Sequence, residues 1–185
     1  MSMQTNFERM NHDRVFQRFI IDEFIRYKSI DYSADYGQRF PDCIIYDLSM
    51  CIEETSVRCY DISEASKPFK DENTKFLRLK CDEPTKFDIV MQRIRKAVDK
   101  KQSKPSYSGF SLKYKLRVLL VRIDGHGFNW KKDFEIITEY AKLLNLEPKI
   151  FNSVYLVMYP LYPTQFEIEN KIFERPNRSD FVPIL

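Results

Sequence analysis

Asp42 and Glu53 are two carboxylates carried on neighbouring strand-like runs. Asp42 stands immediately before Cys43-Ile44-Ile45-Tyr46, and Glu53 lies within Cys51-Ile52-Glu53-Glu54-Thr55-Ser56-Val57. Only Asp47-Leu48-Ser49-Met50 separates the two runs, and apolar, β-branched stretches broken by such a turn read as a hairpin. A catalytic magnesium or manganese ion needs hard oxygen ligands projected from rigid elements into a partly open cavity. Asp42 and Glu53 suit that need. Side chains alternate along a strand, so Glu53 and Thr55 share a face while Glu54 points away and reads as a surface group. The plainer alternative is that these acids are solvated strand ends, and that Glu23, with Asp22 beside it, is a solvated helix face.

The elements that must position these residues follow from hydrophobic spacing. From Phe7 to about Ser29, Val15, Phe16, Phe19, Ile20, Phe24 and Ile25 recur at steps of three and four, the pattern of an amphipathic helix. Turn-forming residues at 30–37 and Pro41 end that period, and a loop delivers the chain to Asp42. Between Tyr60 and about Lys86 the sequence is polar and carries two prolines, with room for one short strand at Phe76-Leu77-Arg78-Leu79. Helical spacing returns from Phe87 to about Gln102 through Val90, Met91, Ile94, Ala97 and Val98. Lys115–Ile123 reads as a central strand buried on both faces, a third helix runs over Phe134–Leu144, and Val154–Tyr159 is a further strand. This alternation predicts an α/β fold, a mixed central sheet flanked by helices, over residues 1–160. Residues 161–185, with Pro163, Pro176 and Pro183, read as a loosely packed or partner-dependent C-terminal extension.

With the elements in place, Arg39-Phe40-Pro41-Asp42-Cys43-Ile44-Ile45-Tyr46, a short turn and Cys51-Ile52-Glu53-Glu54-Thr55 resemble the signature of the PD-(D/E)XK nuclease superfamily, in a variant form ending in threonine. The order of elements agrees over roughly residues 7–160: a helix bearing a glutamate, the hairpin, a helix bearing basic or amide residues, then a buried strand. The resemblance implies a restriction-endonuclease-like fold and metal-dependent hydrolysis of DNA or RNA phosphodiesters. It implies magnesium or manganese held by Asp42, Glu53 and the carbonyl of Glu54, with Glu23 as an outer or second-metal ligand. Gln92, Lys100 and Lys104 become contacts to nucleic-acid phosphates, and a homodimer is the implied assembly. Thr55 stands where the family usually has lysine, and a hydroxyl cannot supply positive charge to a developing phosphorane. Some members move the base to the following helix. Lys101, four residues after Ala97 and three after Val98, emerges beside the buried stripe and is the candidate; Lys100 lies on the outer face. Thr55 also keeps open a catalytically degenerate domain of this fold that binds nucleic acid or a protein without cutting.

Composition narrows the remaining classes. The 185 residues, 43% hydrophobic and 15% aromatic, are enough for one full core. The net charge of +3 is the small difference between 30 basic and 27 acidic residues, so any nucleic-acid surface must be local. No apolar run reaches the about 18 residues of a membrane span. The first eight residues carry neither the basic flank nor the apolar run of a secretory signal, so a cytoplasmic location is expected. Cys43, Cys51, Cys59 and Cys81 read as reduced core thiols, and no Cys-x-x-Cys or His-x(3–5)-His spacing suggests zinc. Tyr107, Phe110 and Tyr114, interleaved with lysines, read as core or rim, with base stacking as the alternative. His126, between two glycines, reads as an inert loop residue.

Overall fold

The computed structural model describes residues 6–37, 40–58, 83–124, 130–159 and 180–185. Helix α1 (Asn6–Tyr27) leads to a two-residue strand β1 (Asp35–Tyr36), then β2 (Cys43–Ile45), a 3-10 turn (Tyr46–Leu48) and β3 (Met50–Arg58). Helix α2 (Glu83–Gln102), a 3-10 turn (Pro105–Tyr107) and the one-turn helix α3 (Phe110–Lys113) precede β4 (Leu116–Asp124). Helix α4 (Trp130–Lys142), β5 (Ser153–Tyr159) and β6 (Phe181–Pro183) complete the described elements.

The six strands form one mixed sheet in sequence order. β1, β2 and β3 are antiparallel, β3, β4 and β5 run parallel, and β6 returns antiparallel to β5. Parallel neighbours require crossovers, which places helices over the faces. Period-two alternation then sorts the strand residues. Cys51 and Val57 of β3 and Leu119, Val121 and Ile123 of β4 join Val90, Ile94 and Val98 of α2 and Ile137 and Ala141 of α4 in one core. Ile52, Val118 and Leu120 face the other way, against Phe16, Ile20, Ile21 and Phe24 of α1. β4 is therefore buried on both sides from Val118 to Ile123, as the apolar run Val118-Leu119-Leu120-Val121 implies.

The structure changes the sequence reading at the sheet edges. β1 lies where a loop is expected; its two residues pair only because Asp35 meets Ile44 and Tyr36 meets Cys43. The C-terminal extension is not loosely packed at its end: Phe181–Pro183 pairs with Tyr155–Val157, and Phe181 is buried against Phe24 and Tyr27. Cys43 and Cys51 are buried free thiols whose pKa values burial pushes up to about 12, which suits packing rather than nucleophilic chemistry. Among the described residues, no helix is long and apolar enough to cross a membrane. The strand expected at 76–79, Cys59, Cys81 and His126 lie outside the described residues.

Candidate functional site

The β2–β3 register pairs Cys43 with Ile52, so one step further places Asp42 across from Glu53. Directly opposed residues of an antiparallel pair project to the same face. Asp42 is fixed by backbone at both ends: its N–H donates to Glu53 Oε2 at 3.3 Å, and its Oδ2 accepts from the Glu54 N–H at 2.8 Å. Two carboxylates are thereby held together at the end of the hairpin, and Glu53 is only 1% exposed. Their proximity is costly. Burial first, then the charge of Glu53, push the Asp42 carboxyl up to about 7, while the Glu54 N–H and Lys101 oppose the rise.

Lys101 reaches this pair from the last turn of α2. Its ammonium donates to Glu53 Oε1 at 2.6 Å and lies 3.4 Å from the Glu54 carbonyl oxygen. The choice of Lys101 over Lys100 follows from helix geometry: Val98, three residues earlier, is fully packed in the α2 core, and the neighbouring azimuth faces β3. Tyr107, in the 3-10 turn after α2, also donates its hydroxyl to Glu53 Oε1. Burial and that carboxylate push the phenol strongly upward, so it remains a donor. Lys104 comes within 3.3 Å of the same hydroxyl, and its ammonium lies 3.4 Å from the centre of the Phe40 ring.

Glu54 is not the surface carboxylate its alternation suggests. The opposite face of β3 is covered by α1, so its side chain is buried, in an ion pair with buried Arg122 at 3.3 Å. Arg122 comes from the interior of β4 and lies 4.6 Å above the Phe16 ring. Gln17 of α1 links the two faces, donating to Asp42 Oδ2 at 2.9 Å and to Glu54 Oε2 at 3.2 Å. Sequence reasoning misses Gln17, although a signal exists. It sits three and four residues before Ile20 and Ile21, a polar side chain on the buried spacing.

The structure thus brings together Asp42, Glu53, the Glu54 carbonyl and Lys101. It does not bring Glu23 to them. Six residues carry Glu23 about 9 Å along α1 from Gln17 and about 240° around it, where it pairs with Arg26 of its own helix. Thr55 shares the Glu53 face, as alternation requires, and lines a groove of about 300 Å³ with Arg93, Lys96, Lys100 and Lys101. Gln92 is exposed on α2 and is not part of that groove wall, which is built from the arginine and lysines that follow it. Tyr107 and Phe110 are core residues, so the stacking role falls away for them.

Among the described residues, no three His, Cys, Asp or Glu side chains converge into a ready cage. The donor set is instead two carboxylates and one carbonyl. These are hard oxygens, which would suit magnesium or manganese rather than a closed zinc site, and Glu53 among them is buried. Burial and then the Glu53 charge, which together raise the Asp42 pKa, disfavour the doubly ionised pair that a divalent cation would neutralise. No family model matches the chain, and no curated protein or solved structure matches it either.

Proposed function

We propose that this chain is a metal-dependent nuclease of restriction-endonuclease-like fold, hydrolysing phosphodiester bonds of DNA or RNA in the cytoplasm. One observation carries the reading: the Lys101 ammonium stands 2.6 Å from Glu53 Oε1 and 3.4 Å from the Glu54 carbonyl, beside Asp42, so it supplies the charge that Thr55 lacks. A bound magnesium or manganese ion supplies Lewis acidity toward the phosphate; Asp42, Glu53 and the Glu54 carbonyl would hold it. Lys101 then stabilises negative charge developing on phosphorus and orients the attacking water. Tyr107 fixes Glu53 by donating to the oxygen that Lys101 also uses. The groove of Arg93, Lys96 and Lys100 extends from Lys101 and offers cations to the phosphates of the bound strand.

The second reading is a domain of the same fold that binds without cutting. It is favoured by the double use of Glu53 Oε1, which Lys101 and Tyr107 both engage and from which a metal must displace a donor. Single-turnover cleavage of end-labelled DNA and RNA separates the two. The nuclease reading expects cutting in magnesium or manganese, none in EDTA, and a loss of about 100-fold or more for Glu53→Gln. Binding with no cutting by the wild-type chain selects the second reading.

A further inference from the structure

Beside Asp42 a cleft of about 360 Å³ opens, walled by Tyr36, Phe40 and Ile21, with Arg14 and Arg18 on its α1 wall and Asp42 also in its lining. Its walls carry apolar and aromatic surface, with guanidinium groups and the Asp42 carboxylate among them. Arg14, Arg18 and Ile21 stand at three- and four-residue spacings, so one stripe of α1 forms this wall. Phe40 is 49% exposed, whereas the neighbouring rings of Tyr107, Phe110 and Phe151 are buried. Half of the Phe40 ring therefore stays open to a ligand, two residues before the Asp42 carboxylate. The ring is also held in place: it meets Tyr107 edge-on at 5.1 Å and carries the Lys104 ammonium at 3.4 Å. Tyr36 is fixed as well, by the Arg18 guanidinium 4.2 Å over its ring and by its hydroxyl donating to Asp22.

We propose that this cleft receives one unpaired nucleobase of the substrate, stacked on Phe40 and Tyr36, with the adjoining phosphate held by Arg14. The placing of that phosphate rests on the nuclease reading. A flat π-system next to an anion is the ligand that two fixed aromatic walls and a guanidinium rim recognise. The volume admits a single base with its sugar, and a base stacked on Phe40 and Tyr36 cannot at the same time stay stacked between its duplex neighbours, so a paired base must first leave its stack. Every base has a π-face, so the cleft selects an unpaired strand rather than a sequence, and it accepts both DNA and RNA.

The test measures binding in EDTA, where no strand is cut. Fluorescence anisotropy is read for a labelled single-stranded 12-mer of DNA, its RNA equivalent and a blunt DNA duplex. The expected result is single-strand binding about 10-fold or more tighter than duplex binding. Phe40→Ala should weaken single-strand binding about 5- to 100-fold with little change on the duplex, and Phe40→Tyr should restore it. Should Phe40→Ala unfold, as judged by its melting curve, Arg14→Gln carries the test. This exposed residue should cost several-fold in single-strand affinity and reduce the salt dependence by about one phosphate contact. Equal affinity for duplex and single strand, or no loss in either variant, overturns the cleft. If the chain never cuts in magnesium yet keeps the Phe40-dependent preference, the nuclease reading falls and the cleft stands. If it cuts but prefers intact duplex, the cleft falls and the nuclease reading stands.

Discussion

At the scale of single residues, Asp42 and Lys101 behave in opposite ways when charge is removed. The Asp42 carboxyl titrates at about 7 in the fold against an ordinary value of 3.8, so the folded chain binds the extra proton between those limits. Its contribution to stability is complete below about 4 and is lost as pH rises through about 7. Asp42→Asn keeps the neutral form at every pH. The unfolding free energy of wild type minus that of Asp42→Asn, measured in EDTA by denaturant titration, should therefore fall steadily from pH 4 to pH 7 and level off above it. Lys101→Met removes the cation beside buried Glu53. Breaking a buried ion pair costs about 3–5 kcal/mol when the remaining charge is stranded. Glu53 still accepts from Tyr107 and from the Asp42 N–H, so the cost should stay below about 3 kcal/mol by the same measurement. Cleavage should be lost while strand binding changes little, because the groove keeps Arg93, Lys96 and Lys100.

At the scale of elements, α2 delivers Lys101 only if its C-terminal turn is held. The next residue, Gln102, does this: its side chain accepts from the Phe151 N–H at 2.8 Å and donates to the Phe151 carbonyl at 3.0 Å, tying α2 to the entry of β5. Gln102→Ala leaves two buried backbone groups unpaired and should cost about 2–4 kcal/mol in unfolding free energy. Cleavage should weaken beyond what the melting shift explains, because Lys101 loses its anchor. The hairpin, both long helices around the site and β4 are legible in the sequence, since each rests on local spacing or an unbroken apolar run. Lys101 is legible for the same reason, as its place beside Val98 follows from helical period alone. Gln17, Tyr107 and Arg122 are not. Their roles depend on which elements meet across the sheet, and spacing within one element carries no such information.

At the scale of the whole molecule, the sheet is closed at its far edge by the last residues of the chain. Phe181 stacks on Tyr27 at 5.2 Å and meets Phe24 at 5.7 Å, so the chain's end helps to clamp α1, which carries Gln17, Arg14 and Arg18. Phe181→Ala should cost about 3–5 kcal/mol, a large part of a domain's stability of about 5–15 kcal/mol; thermal unfolding checks it. Sequence reasoning treats this strand as an extension because three residues among prolines have no period to read. Both edge strands share that difficulty, for pairing rather than propensity makes them. The hairpin, α2 and α1 converge on Asp42 and Glu53, the two carboxylates that hold a divalent cation in the proposed function. The most direct test is a calorimetric titration of manganese into the wild-type chain and Asp42→Ala at pH 8, above the titration of Asp42. One ion bound per chain and loss of that binding in Asp42→Ala is the predicted result; no binding to the wild type, or equal binding by both, would contradict it.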